Sequence, residues 1–274
     1  MLPTVFDLGF ARVNGYGLMI GIGVLLGYLL VFFECRRRGL DAFAQKLSFF
    51  CMLLGVTAFL GGKLFFALMY PEAFKGDIET YGVLGSMGRG FVFYGSLLVT
   101  LPVAVWRLKT WGIPVWKAFD VIMFGLPVLH GFGRLGCFMA GCCYGCRSDG
   151  PLAVTFTQSL GLNGVSLHPV QLYEAAGEFL IFAFLWFFLR RRQRFDGQIV
   201  LSYLALYAAL RFGAEFLRGD GNPLFLGAGG GTHLPGDPPA GLTTPQATSL
   251  FIFLPSATLL WRGLRRHPRK QNRP

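Results

Sequence analysis

AFDVIMFGLPVLHGFGRLGCFMAGCCYG, residues 118–145, joins a long apolar run to a short stretch crowded with glycine and cysteine. Arg134 follows the end of the run, between Gly133 and Gly136. Glycines this dense let a backbone turn sharply and let other groups approach closely. A cation at the end of an apolar segment is costly unless an anion partners it. The stretch from His130 to Gly145 therefore reads as an anion site at a membrane surface, and the rest of the chain as its scaffold.

Composition agrees. The 274 residues are 53% hydrophobic and only 14% charged, with a mean hydropathy of +0.52. A soluble domain carries roughly 25% charged residues. Apolar segments recur at about 16–34, 47–70, 91–106, 118–133, 173–189, 198–217 and 247–261. Most approach the ~20 residues a spanning helix needs, and the third and seventh lengthen into their flanks. Backbone groups in lipid must be satisfied within the segment, so all seven are expected to be helices. The expected fold is all-α, a seven-span bundle forming one domain over 1–274. No cleavable signal is expected, because no charged region precedes the first apolar run.

The net charge of +11 follows topology. Arg36, Arg37, Arg38, Lys46, Arg107, Lys109, Lys117 and Arg190, Arg191, Arg192, Arg194 fall in alternate connections, and six more cations fall in the tail after 261. Arg12, Lys75, Arg89, Arg134, Arg147 and Arg218 lie on the opposite side. The positive-inside rule then puts the N-terminus outside and the C-terminus, with its basic tail 262–274, in the cytoplasm. Contact with anionic lipid accounts for the basic balance, and nucleic acid is not an expected partner. The longer connections, 71–90, 134–172 and 218–246, fall outside. The last is Gly/Pro-rich and is expected to be mobile.

Chemistry concentrates in three places. Tyr207, Arg211, Glu215 and Arg218 recur at helical spacing and share one face of an apolar span. Either Arg211 and Glu215 simply neutralise each other, or the stripe is functional, as intramembrane charge is by default. His168 to Glu178, HPVQLYEAAGE, opens the fifth span with Gln171, Tyr173 and Glu174 near its outer end. Glu174 in an apolar helix needs a partner, and Arg134 or Arg211 is the natural one. GRGFVFYGS, 88–96, brings Arg89 and Tyr94 into the third span. Lys63 follows two glycines, as a snorkelling lysine or a site residue. His130 and His168 are each either a base or a satisfied interior histidine.

Cys137, Cys142, Cys143 and Cys146 form C-x4-C-C-x2-C on the expected outer side. Disulfides are allowed there, and small buried side chains are a second reading. Both rank ahead of zinc, because the usual distant second ligand pair is missing.

G-R-L-G-C-F-x-A-G-C-C-Y-G at 133–145, H-P-x-Q-L-Y-E at 168–174 and Y-x-x-x-R-x-x-x-E-F-x-R at 207–218 together resemble the prolipoprotein diacylglyceryl transferase family. Weaker matches are Y-G-L-M at 16–19, G-G-K at 61–63 and G-L-T-x-x-Q-x-x-S at 241–249. The resemblance implies a multi-pass transferase of the bacterial inner membrane with its active site toward the outer leaflet. Such an enzyme takes part in lipoprotein biosynthesis, a protein modification. It moves a diacylglyceryl group from phosphatidylglycerol to the lipobox cysteine thiol of a preprolipoprotein and releases glycerol 1-phosphate. The partners implied are phosphatidylglycerol, lipobox signal peptides and membrane lipid, with no cofactor and no metal. Catalytic positions fall on Arg134, Arg211, Tyr207 and Tyr94. Substrate-binding positions fall on Arg134, Gly133, Gly136, Gly141, Gly145, Gln171, Tyr173, Glu174, Glu215, Arg218, His168 and Tyr16.

The chain departs from that pattern at two points. The family usually reads H-G-G where this chain has Tyr94-Gly95-Ser96, and asparagine is common at the position of Cys137. Tyr94, Tyr207 and His168 are the candidates to relay the thiol proton. The competing readings are a family paralogue with another acceptor and a non-catalytic lipid-binding or transport protein. A transporter is expected to show two related halves, and no internal repeat is apparent in the sequence.

Overall fold

The computed structural model describes residues 4–7, 12–87, 89–156, 164–219, 224–226 and 241–268. Most of the 218–246 segment, and the tail from 269 onward, therefore lie outside the described residues. The chain divides into two compact units, Met1–Phe33 with Phe119–Pro274, and Glu34–Ala118. The described elements are helices plus three short antiparallel pairs. The pairs are β1 (Thr4–Asp7) with β2 (Arg12–Asn14), β3 (Val154–Thr155) with β4 (Ser166–Leu167), and β5 (Leu224–Leu226) with β6 (Leu242–Thr243).

Among the described residues, five helical segments are long and apolar enough to cross a membrane. They are α1 (Gly15–Arg37), α2 (Asp41–Met69), α5 (Val115–Ala140), the run Val170–Leu189 and α8 (Thr244–Arg266). The Val170–Leu189 run is α6 (Val170–Ala183) continued by a π-helical turn, Phe184–Leu189. The other two expected spans are also helical, as α4 (Phe93–Thr110) and α7 (Gln198–Glu215). Each is shorter and carries polar ends, with Arg107 and Lys109 closing α4, and Arg211 and Glu215 closing α7. The fold is thus mostly helical, that of an integral membrane protein. Large apolar side chains point outward, among them Leu68, Leu180, Phe187 and Phe251 at 67–79% exposed. A soluble surface would not carry such a band.

Two expectations are corrected. The 71–90 connection is not a loop throughout. Pro71–Ser86 forms α3, bent at Gly82, whose φ of 68° only glycine adopts cheaply. The apolar run from 118 does not end in a turn at Arg134. Its helix, α5, continues to Ala140, so Gly133 and Gly136 are helical, and the sharp turn comes at Gly141, with φ of 71°.

In the larger unit, Phe124, Ile181, Leu185, Leu189, Ile199 and Tyr203 form a buried core. Gly27 and Gly125 let α1 and α5 touch through backbone: a Cβ on Gly125 would meet the Gly27 carbonyl at 2.6 Å. Small residues at such crossings are how membrane helices pack. Asp120, fully buried, explains the one acid of the opening run. Its carboxylate accepts from the backbone N–H of Gly197 at 2.6 Å and of Val200 at 3.0 Å, and from Gln193 Nε2 at 2.6 Å. It satisfies the orphan donors at the start of α7 and fixes that helix on α5.

In the smaller unit, α2 and α4 pack along Gly61, Gly62 and Gly95. A Cβ on Gly61 would lie 2.7 Å from the Gly95 carbonyl, and one on Gly62 would run into the Phe91 ring. Ser96 Oγ donates to the Ala58 carbonyl at 2.7 Å. Lys63 donates to the carbonyl of Ser86 at 2.7 Å and to that of Arg89. The G-G-K motif thus lets α4 approach and ties down the turn before it.

Candidate active site

Glu174, on the second turn of α6, is 3% exposed and receives three arginines. Arg134 Nε from α5 lies 3.1 Å from Glu174 Oε2. Arg211 Nη1 from α7 lies 3.3 Å from Oε1, and Arg218 Nη1 lies 3.4 Å from Oε2. Glu215, fully buried, stands 2.7 Å from Arg211 Nη1 and 3.8 Å from Arg218 Nε. Both partners foreseen for Glu174 are therefore present, together with a third. Among the described residues, three guanidinium groups and two carboxylates are thus gathered in one largely buried cluster, where each charge needs its partners.

The stripe from Tyr207 to Arg218 is helical only through Glu215. Arg218 lies beyond α7, in an isolated bridge to Gly145. That bridge matters. The segment after α5 is laced between two others: Gly145 N–H donates to the His168 carbonyl at 2.9 Å, Cys146 N–H to that of Leu217 at 2.8 Å, and Gly219 N–H to that of Tyr144 at 3.2 Å. A Cβ on Gly145 would lie 2.6 Å from the His168 carbonyl, and one on Gly219 2.5 Å from the Gly145 carbonyl. Glycine at these places brings Arg218 and the cysteine turn onto the end of α5.

The other expected positions divide. Gln171, fully buried, donates from Nε2 to the Cys142 carbonyl at 2.7 Å, and so holds the turn. His168 Nδ1 and Tyr173 OH pair with each other at 3.3 Å. Gly136 makes room for α1, since a Cβ there would meet the Tyr16 ring at 3.1 Å and the Tyr16 carbonyl at 3.2 Å. Among the described residues, nothing lies within 4 Å of a Cβ built on Gly133, so that position has open space beside it. Tyr207 faces inward: its ring stands 5.4 Å from His130 and stacks on Tyr203 at 5.9 Å. Tyr94 belongs to the smaller unit, in the first turn of α4, where its ring meets Phe93.

One group went unnoticed in the sequence. Glu178, 2% exposed, places Oε1 3.1 Å from His130 Nδ1, which also meets Tyr203 OH at 2.8 Å. The signal was available, because Gln171, Glu174 and Glu178 recur at spacings of three and four on one helix face.

Beyond the end of α5 the thiols differ. Cys143 is held well below the ordinary thiol range, by hydrogen bonds from Cys137 and Cys142 and then by Arg218 and Arg134. Burial pushes Cys146 up. Cys143 also has φ of 60°, the one described non-glycine residue at positive φ.

The family model for prolipoprotein diacylglyceryl transferase matches residues 3–262. The chain belongs to that family. Similar proteins include the phosphatidylglycerol–prolipoprotein diacylglyceryl transferase of Clostridium tetani, 33% identical over 224 residues, which cover 80% of this chain and 86% of that protein. The protein of the same name from Geobacter sulfurreducens is 32% identical over 231 residues, 83% of this chain and 86% of that one. That from Bordetella avium is 33% identical over 232 residues, with the same two coverages.

Among the weaker family matches, G-L-T-x-x-Q is a helix start. Thr243 Oγ1 accepts from Gln246 N–H at 3.3 Å, and Gln246 Oε1 accepts from Thr243 N–H at 3.0 Å, a capping box that opens α8.

Proposed function

We propose that this chain transfers the diacylglyceryl group of phosphatidylglycerol to the lipobox cysteine thiol of preprolipoproteins, with glycerol 1-phosphate as the other product. Family membership supports the reaction class. The observation that carries the site is the convergence of Arg134, Arg211 and Arg218 on Glu174. The acceptor thiolate attacks the glyceryl carbon, a carbon–sulfur bond forms, and the carbon–oxygen bond to phosphate breaks. Negative charge grows on the departing phosphate, and fixed guanidinium donors lower that barrier. Arg134 and Arg211 offer planar forks to phosphate oxygens, which lysine matches poorly.

Tyr207 orients the head group or passes on the thiol proton; for Tyr94 such a role rests on the family pattern alone. The open space beside Gly133 is where the donor lies against Arg134. Gly141, Gly145, Gln171 and His168 hold the substrate-facing turn, with Tyr173, Glu215 and Tyr16 around it. The chain crosses the bacterial inner membrane seven times, α4 and α7 included, with its N-terminus outside, its C-terminus in the cytoplasm and its active site toward the outer leaflet.

The deciding experiment supplies the purified protein with labelled phosphatidylglycerol and a lipobox peptide. Labelled peptide is the expected product. No transfer, under conditions where a family enzyme works, decides against the proposal and in favour of another acceptor or a non-catalytic lipid-binding role.

A further inference from the structure

Cys137, Cys142 and Cys143 each present a sulfur, and the three Sγ atoms lie within 4.8 Å of one another. We propose that these three cysteines form a binding site for one thiophilic d10 metal ion of the zinc class. The sequence alone ranked metal below disulfide, because the spacing lacks a second ligand pair. Three sulfurs converging on one point make that pair unnecessary.

The convergence is built. Cys137 sits in the last turn of α5. Gly141, with φ of 71°, reverses the chain, and Cys142 N–H donates back to the Cys137 carbonyl at 3.2 Å. Cys143 then adopts φ of 60°, a conformation that residues other than glycine rarely take. Strain of this kind persists only where the surroundings over-determine it, and it clusters at functional positions. Here the surroundings are visible: Gln171 holds the Cys142 carbonyl, and Gly145 and Cys146 are laced to His168 and Leu217. What the strained residue adds to the group is its thiol.

Chemistry and charge select the ion. Tetrahedral zinc binds sulfur at about 2.3 Å, which sets neighbouring sulfurs about 3.8 Å apart. A small side-chain rotation closes the present spacing to that edge. Thiolates select soft ions over magnesium or calcium. Three thiolates and a divalent ion carry one net negative charge, and Arg134 and Arg218 are the neighbouring cations. Cys142 is exposed, so an ion has a way in. Bound there, the ion clips the turn to the end of α5, three residues past Arg134.

The test uses the full chain in detergent, reduced and stripped of metal. Zinc is titrated against a chromophoric chelator, and cobalt(II) is added separately as an optical probe. The expected result is one ion per chain, thiolate-to-cobalt charge-transfer absorption, and a rise in melting temperature with zinc. Cys137→Ser, Cys142→Ser and Cys143→Ser should each weaken binding at least about tenfold, while Cys51→Ser leaves it unchanged. Absence of stoichiometric binding, or binding that survives the triple substitution, overturns the proposal. So does a disulfide between any two of the three in protein whose thiols are blocked at cell lysis.

Discussion

Arg134 on α5 and Glu174 on α6 stand 3.1 Å apart across the larger unit, and this pair joins the two most specific sequence motifs of the chain. One motif supplies the cation and the other the carboxylate that holds it, so neither is complete alone.

Replacing Arg134 or Arg211 by alanine should lower transfer by about a hundredfold or more, the usual effect of removing one donor aimed at developing charge. Lysine should restore little, because it cannot make the bidentate contact. Transfer from labelled phosphatidylglycerol, normalised to inserted protein, checks this. Near-normal rates for either alanine variant would remove that arginine from the phosphate clamp.

Glu174→Ala is expected to damage the fold before the chemistry. It leaves three arginines without their shared carboxylate, and breaking a buried ion pair costs about 3–5 kcal/mol. A lower melting temperature in detergent is the readout. An unchanged melting curve would show that the carboxylate is not what holds the arginines.

The glycines separate cleanly. Gly145→Ala drives a methyl group into His168 and should sharply reduce the yield of folded protein. Gly133→Ala has free space around it and should fold normally, and any loss of transfer then reports crowding of the donor lipid. Equal folded yields for the two variants would contradict the packing described here.

Tyr94 stands where the family commonly has histidine. We expect the parent protein to be active, Tyr94→Phe to be modestly slower and Tyr94→His to be tolerated. A phenol is a poor general base near neutrality, so the arginines must supply most of the stabilisation. Rates against pH for the three forms test this. A parent that is inactive until Tyr94→His is made would reverse the assignment.

Much of this was legible in the sequence, for physical reasons. Apolar runs of spanning length give helices before any contact is known. Glu174 stood out because a carboxylate in an apolar helix must have a partner. Arg218 was harder to place. Helical spacing put it on the α7 stripe, whereas the helix stops at Glu215, and the backbone bridge to Gly145 fixes its position. Gly133 and Gly136 read as a turn because glycine density does not distinguish a turn from a close helix crossing. Asp120 and Glu178 gave no clear role, since their partners lie far away in sequence, at Gly197 and His130.

The sharing of Glu174 by three arginines has a consequence for turnover. Arginines that already hold a resident counter-ion are never bare, so an arriving phosphate enters by exchange rather than by simple addition. Its net gain is the difference between two anions, not the full attraction of three cations. When glycerol phosphate leaves, the carboxylate takes its place again, and the departure exposes no unpaired charge. On the proposed function, such a site releases its product readily and is only weakly inhibited by it, although three guanidinium groups surround it.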